Sequence, residues 1–406
     1  MRVLVISAAF PPMRAGEADH TLHLCQRLAE SGFDIELLTS SGCVVTSKLS
    51  FKVHRRMRNW TWSELPKLIS FIKRFKPDGI LLYYSGWLYG DHPMITFAPT
   101  IAKTIAPHAA FVTQFGIPEG SAPEETSLVA RAIRKGIRLW AGSQDVNYGF
   151  GTLLRDSDRV VVLSEHHKDE LVNRFPAVSN RILLLPPPPI MVLTKEDGGA
   201  TRLRGRDLLG LKPNEFVLLY FGYFYPGKGI ETLLKAFQLV SQGSDLKLVM
   251  VGDDPDNSNG ASYRDKMNQL GRELGVHERI IWAPSYSSDS DEASVFLRAA
   301  DACVLPFDHG VTLNRSSVAA AAAHGLPIVT TKWEFLESPF IQNAPVLLCT
   351  PKSPESLAEA IHCLIRKPAL QQRLHLGSLE LARQWFSWEN TVIRISDALT
   401  TGPSPR

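Results

Sequence analysis

Nowhere does this chain hold the roughly 18 consecutive apolar residues that a membrane-spanning helix needs. The opening stretch MRVLVISAAFPP has only about six apolar residues after Arg2, too few for the core of a signal peptide. Cysteine is scarce: five residues, with no CxxC pair and no metal-ligand spacing, which excludes a disulfide scaffold and a zinc ribbon. These scattered thiols read as buried groups in a reducing compartment. Excess charge is also lacking. Against 44 Lys and Arg stand 41 Asp and Glu, and the net charge of +3 is too small to point to nucleic acid. There is no HxxxH, HExxH or paired-carboxylate pattern to suggest a metal, and no GxSxG or Walker loop. The expectation is a cytoplasmic, enzyme-like chain, with peripheral contact at the inner membrane face left open.

What is present fits a globular protein: 44% hydrophobic and 21% charged residues. At 406 residues the chain exceeds one ordinary domain, and two α/β domains of about 150–200 residues each are the natural prior. Arg2 to Ser7 reads as a short buried strand, Ala18 to Ser31 as a helix stopped by Gly32, and Asp34 to Thr39 as a second strand. Further strands read at Ile80 to Tyr84, Ala110 to Thr113 and Arg159 to Leu163, the last entering a helix from Glu165. The run Pro186 to Pro189 and the polar Thr194 to Arg206 have linker composition. A second series follows at Phe216 to Phe221, Lys247 to Val251, Arg279 to Trp282, Ala302 to Leu305 and Pro327 to Thr330. Strands alternating with helices indicate doubly wound parallel sheets. The expected fold is therefore α/β, with two Rossmann-like domains facing a cleft. Its boundaries are 1–190, a linker at 191–206, a second domain at 207–385, and a closing helix and tail at 386–406.

The most informative stretch is Val304 to Thr331, VLPFDHGVTLNRSSVAAAAAHGLPIVTT. It reads as strand, loop, thin alanine helix, glycine stop and strand. Asn314, Ser316 and Ser317 can each cap the helix start, and Gly325 can end it in a left-handed turn. A helix N-terminus after a parallel strand's carboxyl end is where α/β domains bind phosphate, with Arg315 as a cationic partner. Lys228, between Gly227 and Gly229 after the first strand of the second domain, can meet a diphosphate as a point charge; otherwise it is an exposed turn lysine. In the first domain, Gly16 allows close approach of a ligand oxygen, or simply joins strand to helix. His20 could be a base or a polar residue near the cap. His92, Gln114 and Gly116 end strands and face an acceptor side. The tract Ser127 to Trp140 places Arg131, Arg134, Lys135 and Arg138 on one helical face, which suits either an anionic membrane or an ordinary surface helix. Lys52, His54, Arg55, Arg56 and Arg58 form a second basic cluster, a solvated edge or a contact for an anionic acceptor.

In their order and spacing, these pieces resemble the GT-B glycosyltransferases of family 4. The resemblance runs from the opening MRVLVIS and AGEADHTLHLCQRLAESGFDIELLTS, through DRVVVLSEHHKDEL, YFGYFYPGKGIETLLKAF, LKLVMVGDD, LRAADACVLPF and AHGLPIVTT, to FSWEN. It implies retaining, metal-independent transfer from a nucleotide diphosphate sugar, with that sugar as substrate and no cofactor. It also implies Lys228 at the diphosphate. Ala15-Gly16 stands for the family's Gly-Gly pair, Tyr223 for its arginine and Phe115 for a histidine, while Thr312 and Ala320 occupy the places of two glutamates. Arg315-Ser316-Ser317 fits a variant with an RGS-like loop in place of that pair.

The residues expected to carry chemistry are Lys228, Arg315 and Asp308. Gly16, Gly222, Tyr223, Trp282, Gly310, Thr312, Ser316 and Ser317 are expected on the donor, with the base near Trp282 to Pro284. His92 and Gln114 are expected on an acceptor glycan, lipid or small molecule, with membrane contact through 127–140 and no nucleic acid. A competing expectation is a catalytically silent GT-B protein that binds a sugar nucleotide or a partner subunit.

Overall fold

The computed structural model describes residues 1–45, 48–118, 149–243, 245–256, 262–286, 290–332, 334–342 and 344–401, with isolated positions at 132, 135, 136 and 139. The basic tract 127–140 lies outside the described residues apart from those four positions. The chain divides into two compact units. One comprises Met1–Met13, Glu17–Leu185 and Glu389–Arg406, the other Arg14–Gly16 and Pro186–Trp388.

The first unit is built on seven strands: β1 (Arg2–Ile6), β2 (Asp34–Ser40), β3 (Lys52–Met57), β4 (Gly79–Tyr84), β5 (Ala110–Phe115), β6 (Arg159–Val162) and β7 (Ile182–Leu184). Their order is β3-β2-β1-β4-β5-β6-β7, every neighbouring pair parallel. Every residue of β4 and β5 is buried. A parallel sheet covered by helices on both faces wants such unbroken apolar runs rather than alternation. The basic cluster at 52–58 forms most of an edge strand: β3 pairs with β2 alone, Met57 is buried, and Lys52, Arg55 and Arg56 are exposed. Charge on an unpaired edge discourages pairing with other chains.

The second unit holds six parallel strands: β8 (Phe216–Phe221), β9 (Leu246–Val251), β10 (Ile280–Trp282), β11 (Ala302–Leu305), β12 (Ile328–Thr331) and β13 (Leu347–Cys349). Their order is β10-β9-β8-β11-β12-β13. The glycine-containing stretch before β8 is not a linker throughout. Gly198–Leu208 is a helix capped by Asp197, whose carboxylate accepts from the N–H groups of Gly199 and Ala200. It packs on the helix Glu292–Ala299 so closely that a Cβ on Gly205 would meet the Val295 carbonyl at 2.4 Å. Arg206, buried, donates to the Ala299 and Lys212 carbonyls and so ties the helix to its unit.

Strand order reverses at β8. The chain moves outward through β9 and β10, then returns to place β11 on the other side. At such a reversal the connections diverge and leave a crevice at the carboxyl ends. Gly229 closes the loop after β8 onto the end of β11: its φ is +72°, and a Cβ there would sit 1.8 Å from the Pro306 carbonyl oxygen. Gly275 has nearly the same φ, +70°, but open space around it. Gly275→Ala should cost about 1 kcal/mol in left-handed strain, while Gly229→Ala should cost about 3 kcal/mol or more. Urea midpoints of the two variants check this, and equal losses would show that the close approach carries no weight.

Candidate functional site

Two loops meet at the carboxyl ends of β8 and β11. The first runs from Gly222 to Gly229, the second from Pro306 to Arg315. The Asp308 N–H donates to the Gly227 carbonyl at 3.1 Å, joining them. A methyl group placed on Gly222, whose φ is +133°, would lie 3.7 Å from Ser317 Cβ, so the first loop also faces the helix start. Behind the second loop, the Thr331 hydroxyl donates to the Phe307 carbonyl at 2.5 Å, and the Val311 N–H donates to the Thr331 carbonyl at 3.0 Å. Gly310, between these anchors, is buried.

The helix Ser316–Ala323 begins at Arg315, whose backbone is extended and whose side chain makes no cap. The expected caps are absent. Asn314 instead accepts from the Thr312 hydroxyl at 2.5 Å, and neither Ser316 nor Ser317 stands at the cap position. The first intrahelical bonds are those of Val318 and Ala319 to the Arg315 carbonyl. The Ser316 and Ser317 amides, at the positive end of the helix dipole, have no partner within the helix. At the other end the Leu326 N–H reaches the Ala321 carbonyl and the Gly325 N–H the Ala322 carbonyl, with Gly325 left-handed at φ +63°. This is the Schellman stop that the glycine indicated.

Two cations share one aromatic ring. Lys228 Nζ lies 5.4 Å from the centre of the Phe307 ring and 4.8 Å from that of Tyr225. The Arg315 guanidinium lies 4.7 Å from the same Phe307 ring. Phe307 itself is fully buried. Among the described residues Arg315 makes no hydrogen bond or ion pair, and its buried Nε has no acceptor. Burial lowers its pKa from the ordinary arginine value, opposed by Tyr225, Tyr220 and Glu337. A guanidinium with five donors, largely withdrawn from water and lacking an acceptor, is costly unless an anion completes it. A diphosphate supplies both charge and acceptor oxygens.

The other expected residues are placed less centrally. Tyr223 is half-buried in the first loop, and its carbonyl accepts from the Tyr220 hydroxyl. Trp282 ends β10, at the sheet edge and two strands from β8, about 10 Å away at ordinary strand spacing. There it packs edge-on to Phe224 and under Arg264. In the first unit, Gly16 opens the helix Gly16–Glu30. His92 accepts from the Met94 N–H and caps a short helix, so it has a structural task. Gln114 is buried, its amide nitrogen 2.9 Å from His20 Nε2, and Phe115 is fully buried among Tyr84 and Phe150. Sequence reasoning missed Phe307, Tyr225 and Glu337. An aromatic directly after Pro306, in a loop carrying an arginine, was the available signal for the first.

Two histidines back these sites. His324 donates from Nδ1 to the Ala320 carbonyl at 2.7 Å, so Nε2 accepts from the Ser294 hydroxyl, also at 2.7 Å. Burial lowers the pKa of both His324 and His20 to about 4. When unfolded, each takes up a proton near pH 6.5, so falling pH favours the unfolded chain. Stability is thus complete above about pH 6.5 and declines toward pH 4, by up to roughly 3 kcal/mol for each histidine. Melting temperatures at pH 7.5 and 5 should differ clearly, and His324→Asn should flatten the difference. A melting temperature independent of pH over that range would contradict this.

Comparison with known proteins agrees in both units. A family model described as Glycosyltransferase Family 4 matches residues 15–188, and one described as Glycosyl transferases group 1 matches residues 215–367. A D-inositol 3-phosphate glycosyltransferase of Rhodococcus opacus is 28% identical over 315 residues, covering 76% of this chain and 62% of the relative. That of Mycolicibacterium gilvum is 27% identical over 322 residues, covering 78% and 62%. The chain thus spans about three fifths of the length of the curated relatives it matches. A Rickettsia africae glycosyltransferase shares the fold with TM-score 0.69 at 15% identity, covering 98% of each chain. So does Anabaena HepE, solved with UDP-glucose, with TM-score 0.67 at 16% identity, covering 99% of this chain and all of that one. Among the described residues, no helix is long and apolar enough to cross a membrane.

Proposed function

Because this chain belongs to the group 1 glycosyltransferases of family 4, we propose that it transfers a sugar from a nucleotide diphosphate sugar to an acceptor hydroxyl on a glycan, a lipid-linked sugar or a small molecule. The proposed transfer retains the anomeric configuration and needs neither a metal nor a cofactor. The observation that carries this reading is Arg315, a largely withdrawn guanidinium with no hydrogen-bond partner among the described residues, at a helix start and on the same ring as Lys228. The UDP-glucose bound by Anabaena HepE supports a nucleotide sugar as the donor class.

As the glycosidic bond breaks, negative charge collects on the departing diphosphate. Lys228 meets it as a point charge, Arg315 as a planar fork, and the Ser316 and Ser317 amides as fixed dipoles. These groups supply charge neutralisation that a divalent cation provides elsewhere, which supports the metal-independent form of the reading. Asp308 and Thr312 stand in the same loop, where they can meet sugar hydroxyls in place of the family's glutamates.

The functional reading separates from a structural one through stability. An uncompensated buried charge destabilises the fold, so Arg315→Met should melt at the same temperature as wild type or higher. Its kcat/KM for the donor should nonetheless fall by roughly 10²-fold, as for loss of one preorganised donor. Lys228→Ala should lose comparable turnover; activity within a few-fold of wild type in both variants would remove the diphosphate role. Thermal-shift screening with nucleotides and nucleotide sugars identifies the donor to use. Donor hydrolysis by the purified protein excludes a silent binder.

A further inference from the structure

We propose that Glu337 is a positioning residue of this anion site: its carboxylate holds the Leu313–Arg315 turn in place and weakens the site's hold on the diphosphate product, so that the product leaves. The inference rests on the anion-binding reading above.

Glu337 follows β12 in the chain and is 4% exposed. Its Oε2 accepts the N–H of Leu313, two residues before Arg315. Its own backbone is fixed, because its carbonyl accepts from the N–H of Phe340 at 3.0 Å and Phe340 is buried in the core. The second loop has three other ties: Asp308 to Gly227, Phe307 to Thr331, and Val311 to Thr331. All three are neutral. A single N–H is satisfied equally well by a neutral acceptor, and burying a carboxylate is more costly than burying an amide. The charge therefore has a use beyond holding Leu313.

That use is electrostatic. The field of Glu337 favours the charged form of Arg315, so the guanidinium stays cationic in the empty site despite its burial. The same field opposes any anion that arrives. Two cations and a helix start without a nearby acid would hold a diphosphate tightly, and tight product binding slows turnover.

The test uses the full chain and inorganic pyrophosphate titrated by calorimetry. E337Q keeps an acceptor for Leu313 and removes the charge; it should bind pyrophosphate about three- to tenfold more tightly, with an unchanged melting temperature. E337D keeps the charge at shorter reach and should bind as wild type does, which separates a loosened loop from a lost charge. R315A should bind at least about tenfold more weakly. With R315A weakened, an E337Q affinity equal to or below wild type overturns the role of Glu337 alone, as does equal tightening in E337D and E337Q. An unchanged R315A overturns the anion site, and this role with it.

Discussion

Where β8 and β11 run side by side, their connections leave the carboxyl ends in opposite directions, and the backbone has to be steered away from the gap that results. The steering is done by very short contacts. Gly229 lies against the Pro306 carbonyl where no side chain fits, and the Asp308 amide bonds Gly227 across the same gap. The positions of Lys228 and Arg315 follow from those two contacts, since each cation sits within a few residues of one of them. A parallel sheet supplies the crevice; the glycine and the amide decide that it is lined by two cations rather than filled by loop.

Much of this was legible from the chain alone. The strands of both sheets are short apolar runs, and the sites fall where a strand gives way to glycine, so Lys228, Arg315 and the Gly325 stop emerge from local pattern. What stayed hidden is non-local or contradicts local propensity. Glu337 is 24 residues from the amide it holds. The edge strand Lys52–Met57 carries lysine, histidine and two arginines, and its strand character comes from pairing with β2 rather than from its own composition. The helix Gly198–Leu208 opens with two glycines, which suggest a linker, yet Asp197 ahead of them is a good cap and Gly205 is needed for close packing. The helix start at Arg315 failed in the opposite sense. Three good capping residues stand near it, and none caps, because Asn314 is taken by Thr312.

Arg315 and the two neutral histidines show opposite answers to the same problem of burial. His20 and His324 respond by giving up charge, and each then uses both an N–H donor and a ring acceptor as an ordinary polar residue. Arginine cannot deprotonate, so its charge stays and its donors go without partners. Structural polar groups are completed within the chain, whereas groups that await a ligand are left incomplete.

The alanines behind the site set a different kind of limit. Ala319 to Ala322 are entirely without exposure, wedged against β11, β12 and the helix Pro368–Trp385, and His375 bonds the Gly325 carbonyl just beyond them. A helix of methyl groups cannot bend or shift its side chains to absorb a larger neighbour, so it acts as a rigid shim of fixed thickness under the anion site. Variation in what the site accepts is then confined to the loops in front, at 222–229 and 308–315. A descendant of this chain can change its donor by altering those segments while the shim behind them stays the same.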